Sequence, residues 1–283
     1  MVRENCYRLW GPVDWCDYEV GIETEFKTEI RNLFPQPWSG LRTEITIDIE
    51  LVPEPSSERG QWTTSIRSDG MTLGYLDDET AAAWAGALRR VMASGLTPVT
   101  SGWICGHDYD VADGRRFWGQ MYLALGDPSF ALPLNEAPAA PHVMLPKSAV
   151  LQVTKEAQYL PALLKVLPPS GQGALIATLH ERPAEGKANA VIEVRINDEC
   201  VGQLAPQTSQ KFLPMIRHFQ DRGLVTACCS DVIGSKVAVE ARIKAAKANE
   251  VSTDFLDGPA EMSLPLVPVV NDPLLYDLTT APV

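Results

Sequence analysis

No stretch of this 283-residue chain approaches the roughly 20 consecutive apolar residues that a membrane-crossing helix needs. Behind Arg3, the N-terminal residues have no apolar core or small-residue cleavage site. The expectation from these two absences is a cytoplasmic protein that does not touch membrane. The six cysteines form no C-x-x-C pair and have no histidines at zinc spacing, which points to free structural thiols and no metal. No G-x-S-x-G elbow, cysteine-nucleophile signature or P-loop lysine is present, and Gly171-Gln172-Gly173 reads as a turn. No catalytic residue, enzyme activity or cofactor is therefore expected.

Positive charge is also scarce, with 24 Lys and Arg against 36 Asp and Glu. The deficit is uneven. Residues 1–146 carry a net charge of −10, residues 147–250 carry +3, and the remainder carries −5. Overall acidity opposes indiscriminate polyanion binding, but the middle segment escapes that restriction. Tryptophan is unevenly placed too: all seven lie at or before Trp118.

What the chain does have is an internal repeat. Residues 20–35 (VGIETEFKTEIRNLFP) return as residues 153–168 (VTKEAQYLPALLKVLP), with Glu23 matching Glu156 and Phe26 matching Tyr159. The apolar spacing predicts one face of an amphipathic helix closed by a proline, with Pro161 in a first turn. Residues 63–106 then align without gaps on residues 191–234, a constant offset of 128. Arg67/Arg195, Gly74/Gly202, Leu76/Leu204, Thr80/Thr208, Arg89/Arg217, Gly95/Gly223, Leu96/Leu224 and Gly106/Gly234 are identical pairs.

Each copy reads as a strand, a variable loop, a hairpin turning at Asp69-Gly70 or Asn197-Asp198, a helix, and two more strands. The helix should open near Asp77/Asp78 or Pro206/Thr208 and stop at Gly95 or Gly223. Its buried stripe should be Trp84, Leu88 and Val91 in one copy, and Phe212, Ile216 and Phe219 in the other. The predicted fold class is α+β and strand-rich, two OB-like small barrels in tandem, each with two short helices. The predicted domains are residues 1–126 and 148–250. They are separated by a Pro-rich linker over 127–147 and followed by an acidic, Pro-rich segment over 251–283 draped on the body.

The segments LVPEP (residues 51–55) and SIRSDGMTLGYL (residues 65–76) resemble a HIRAN domain. The second copy matches that family at His180-Glu181-Arg182-Pro183, at residues 189–194 (NAVIEV) and at Val201-Gly202-Gln203-Leu204. The resemblance covers about 190 residues and implies an OB-like barrel that recognises DNA, in particular exposed single-strand ends. Both copies differ from the family in the loop after the first strand, where the Pro-aromatic-Asp group is missing.

Binding a nucleic-acid strand needs cations along a groove and an aromatic face for a base. The candidate residues are Tyr159, Arg182, Lys187, Asn189, Arg195, Lys211 and Arg217, all in the second copy, with single-stranded DNA as the expected partner. The alternative is a protein-interaction or scaffold module that kept the barrel and lost the DNA pocket. His107-Asp108-Tyr109-Asp110 and Asp113 suggest oxygen ligands, but miss the spacing of a calcium loop and read as a polar hairpin tip.

Overall fold

The computed structural model describes residues 5–11, 15–22, 24–55, 62–183 and 190–269. Contacts divide the chain into two compact units: the first runs to Ala131 and takes up the chain again from Val269, and the second spans Leu132–Pro268. In the first unit the order is β1 (Cys6–Arg8), β2 (Tyr18–Val20), α1 (Lys27–Asn32), β3 (Thr43–Pro55), β4 (Trp62–Ser68) and β5 (Met71–Tyr75). It continues with α2 (Asp78–Ala93), β6 (Thr97–Val111) and β7 (Gly114–Leu123). The second unit comprises β8 (His142–Met144), β9 (Val150–Gln152), α3 (Leu160–Val166), β10 (Gln172–Arg182), β11 (Val191–Ile196) and β12 (Glu199–Gln203). Helix α4 (Pro206–Asp221), β13 (Val225–Ser235), β14 (Ala238–Lys244) and α5 (Thr253–Asp257) complete it.

Both sheets have one topology. The path β2-β7-β6-β3-β4-β5, with β1 parallel to β6, is repeated as β9-β14-β13-β10-β11-β12, with β8 parallel to β13. The protein is thus α+β and strand-rich, with two OB-like small barrels in tandem. In the second barrel the edges meet, because Thr154 and Gln203 exchange backbone hydrogen bonds of 2.8 and 3.0 Å.

The agreement extends to single dihedrals. Asp69 and Gly70 have φ of +51° and +77°, and Asn197 and Asp198 have +50° and +62°, which is the geometry of a tight hairpin turn. A bulge follows Ile66 in β4 and Val194 in β11. Helices α2 and α4 both end in a glycine at φ +74°. In each, the next residue (Leu96 or Leu224) donates its N–H back to a carbonyl of the last turn. Asp77 caps α2 by accepting from the Thr80 N–H at 2.8 Å, while α4 begins on Pro206, whose missing N–H is harmless there.

The helix stripes expected from the sequence are buried: Trp84, Leu88 and Val91, and Phe212, Ile216 and Phe219, are each at most 3% exposed. In the second unit, Phe212, Ile216 and Phe219 close a core made by alternate strand residues such as Leu175, Ala177, Leu179, Ile192 and Val194. The block over residues 20–35 is less helical than its spacing suggests. Val20 ends β2, Thr24–Phe26 is a 3-10 turn, and only Lys27–Asn32 is α-helix. The copy at 153–168 behaves alike, with Pro161 in the first turn of α3.

The segment over 127–147 differs from the expected linker. Its prolines exclude a helix interior, but they do not exclude a short edge strand, and β8 is one. Val143 and Leu145 are buried in the second core. Asn135 clamps the Ile176 backbone, accepting from its N–H at 2.7 Å and donating to its carbonyl at 2.9 Å. Strand β8 corresponds to β1, so each repeat starts earlier than the sequence alignment indicated. Beyond residue 250 the segment touches the rest of the second unit between Phe255 and Ser263. Phe255 meets Phe219 edge-on, Met144 donates to the Glu261 carbonyl, and the Ser263 N–H donates to His142. Leu274, Leu275 and Tyr276 lie outside the described residues. No helix among the described residues is long and apolar enough to cross a membrane.

Candidate nucleic-acid interface

The β10-β11-β12 sheet of the second barrel turns Leu179, Ile192, Val194 and Ile196 into the core. Thr178, His180 and Arg182 alternate with these residues, as do Glu193 and Arg195, and so take the opposite face. Register places His180 beside Glu193, Glu193 beside Gln203, and Arg195 beside Cys200. Arg182 donates to the Gln203 side-chain carbonyl at 2.7 Å, and Arg195 donates to Glu193 at 2.6 Å.

Tyr159 sits at the start of α3 and reaches the same face. Hydrogen bonding to Cys200, the charge that thiol would carry and partial burial raise its phenol pKa, while Arg182 acts in the opposite direction. The phenol therefore stays neutral at physiological pH. Burial, aided by the neighbouring Arg195, depresses the His180 imidazole, whose Nε2 lies 2.9 Å from the Thr178 hydroxyl. Tyr159, Arg182 and Arg195 are thus brought together, with His180 and Gln203 as neighbours that the sequence reading did not select. The sequence signal for these two was strand parity with Arg182 and the repeat of the hairpin.

Two other candidates lie elsewhere. Lys211 and Arg217 are on α4, which packs on the core side, and Arg217 forks onto Glu181 at 2.6 and 2.8 Å. Lys187 and Asn189 lie outside the described residues, as do the two loops at which the copies differ from the HIRAN pattern.

The first barrel presents the corresponding face with other chemistry. Phe26 stands for Tyr159 and meets Tyr75, the counterpart of Gln203, edge-on at 5.9 Å. Arg67 stands for Arg195 and pairs with Glu54, which occupies the position of Arg182. At the rim position that Arg182 holds in the second copy, the first copy thus carries an acid paired with its own arginine.

The remaining polar candidates resolve into structural contacts. His107 lies 5.0 Å from the Trp118 ring, His142 holds Ser263, and His218 bonds the Leu256 carbonyl. Asp108 is clamped by Arg31 through hydrogen bonds of 3.0 and 2.7 Å, which hold its carboxyl below the usual range. Asp110 and Asp113 pair with Arg115 and Arg116 at the end of the β6–β7 hairpin. Among the described residues no group of three or more His, Cys, Asp or Glu side chains is placed to hold a metal ion. Comparison of the chain with protein-family models, with curated proteins and with solved structures gives no match.

Proposed function

We propose that the two barrels are HIRAN-like and form a non-enzymatic binding module, which takes single-stranded DNA on the outer face of the second barrel. The convergence of Tyr159, Arg182 and Arg195 on one face carries this reading, since an aromatic platform flanked by guanidinium groups suits a base and its phosphates. The first barrel has Glu54, paired with Arg67, in place of Arg182 and so lacks the second guanidinium for a phosphate.

A second reading has its own support. Many cations of the second unit are already matched: Arg195 by Glu193, Arg217 by Glu181, Lys244 by Asp231 and Lys247 by Glu250. A surface of internally neutralised pairs suits a protein partner better than a polyanion.

Fluorescence anisotropy of the full chain with a labelled single-stranded oligonucleotide, at two salt concentrations, separates the readings. DNA binding through this face should weaken steeply with salt, and Tyr159→Ala or Arg182→Glu should each weaken it about tenfold. Absence of binding at low salt, or variants that bind like the parent, would leave the protein-partner reading in its place.

A further inference from the structure

The β6–β7 hairpin of the first unit extends past the point where its counterpart ends. Strand β6 continues to Val111, whereas β13 stops at Ser235, the equivalent of residue 107. The added residues lean toward α1 and enclose an open cleft of about 690 Å³, lined by Thr24, Lys27, Arg31, Asp108, Tyr109, Arg115, Arg116 and Phe117 among others. That volume lies within the range of roughly 300–1,000 Å³ common for small-molecule sites.

The lining holds four cations and one carboxylate, in a unit that is otherwise acidic. That carboxylate is already committed. Asp108, with its side chain 3% exposed, accepts from Nε and Nη2 of Arg31. The Arg31 guanidinium also lies 5.3 Å above the Trp38 ring, which stacks on Phe34 at 4.5 Å. It is held rigidly with its Nη1 outside the Asp108 contact, so little side-chain entropy is lost when it binds an anion. Among the described residues, Arg115 and Arg116 are held by exposed pairs with Asp110 and Asp113, which do not line the cleft. Such pairs are worth about 1 kcal/mol or less and yield readily to a doubly charged group.

We propose that this cleft is a binding site for a small ligand carrying two or more phosphoryl groups. Four cations exceed what one phosphate needs, and guanidinium forks match phosphoryl oxygens in pairs. Tyr109, 40% exposed on the wall, is available to stack on a base if the ligand is a nucleotide. The site is built from residues of the first unit and does not rest on the proposed DNA reading.

Isothermal titration of the full chain at low salt, with inorganic pyrophosphate and separately with ATP, tests the assignment. Saturable binding of either probe is expected. The combined variant Lys27→Ala, Arg115→Ala, Arg116→Ala should weaken it by at least about tenfold without shifting the thermal midpoint. ATP binding that Tyr109→Ala weakens identifies a nucleotide. ATP binding that Tyr109→Ala leaves unchanged and that is no tighter than pyrophosphate binding identifies a free polyphosphate. No saturable binding of either probe, or a triple variant that binds like the parent, overturns the proposal.

Discussion

At the scale of single residues, His180 makes the second barrel sensitive to mild acid. Burial, its largest perturbation, lowers the folded pKa below the ordinary value of about 6.5, and Arg195 adds to this. A depressed pKa means that the unfolded chain binds the proton more readily. The contribution to stability is therefore complete above about pH 6.5 and is lost as pH falls through the folded value. Denaturant midpoints measured from pH 7.5 to 5 should decline, and His180→Gln should flatten that decline. An unchanged slope in the variant would mean that the acid sensitivity arises elsewhere. The side-chain identities on this face were only partly readable from sequence. Arg195 and Arg217 stood out as cations, but the acids that hold them, Glu193 on this face and Glu181 beneath α4, are assigned by strand parity and by the meeting of α4 with β10.

At the scale of elements, the repeat is most exacting where the barrel closes. Gly74 and Gly202 occupy one position, with φ of +157° and +153°, but their surroundings differ. A Cβ on Gly202 would lie 2.4 Å from a Val153 methyl and 2.7 Å from the Thr154 carbonyl oxygen, at the bridge that joins the two sheet edges. Among the described residues, a Cβ on Gly74 would meet a Val20 methyl at 3.4 Å and nothing closer. Gly202→Ala is therefore expected to cost about 2–3 kcal/mol, and Gly74→Ala clearly less. Chemical denaturation of the two variants checks the ordering, and equal costs would show that the second barrel tolerates opening at this seam. Much of this level was legible in the sequence. Paired glycines, the Asp-Gly and Asn-Asp turns and the helix stripes all report local backbone needs, and local needs survive in one-dimensional text. The strands β1 and β8 did not show, because three residues give no periodicity and their partners β6 and β13 are about 80–90 residues away.

At the scale of the whole molecule, the boundary of the second unit matters more than its composition suggests. A division at residue 148 follows the prolines, but it discards β8, the Asn135 clamp on Ile176 and the buried Val143 and Leu145. Each buried aliphatic side chain is worth about 1.5–3 kcal/mol, and whole domains are stable by only about 5–15 kcal/mol. Ending at residue 250 also removes Phe255, which packs on Phe219, and the carbonyls of Leu256 and Gly258 that accept from Arg222. A fragment spanning residues 132–268 is expected to unfold cooperatively with a native-like circular dichroism spectrum. A fragment spanning 148–250 should be largely unfolded or lose most of its thermal midpoint. Equal stability of the two would return residues 132–147 to the status of a tether. The expected difference would make the Pro-rich stretch the first strand of the second repeat, laid parallel on β13 as β1 is on β6. The duplication would then comprise whole barrels, each beginning with its own parallel strand and each resting on a self-contained core.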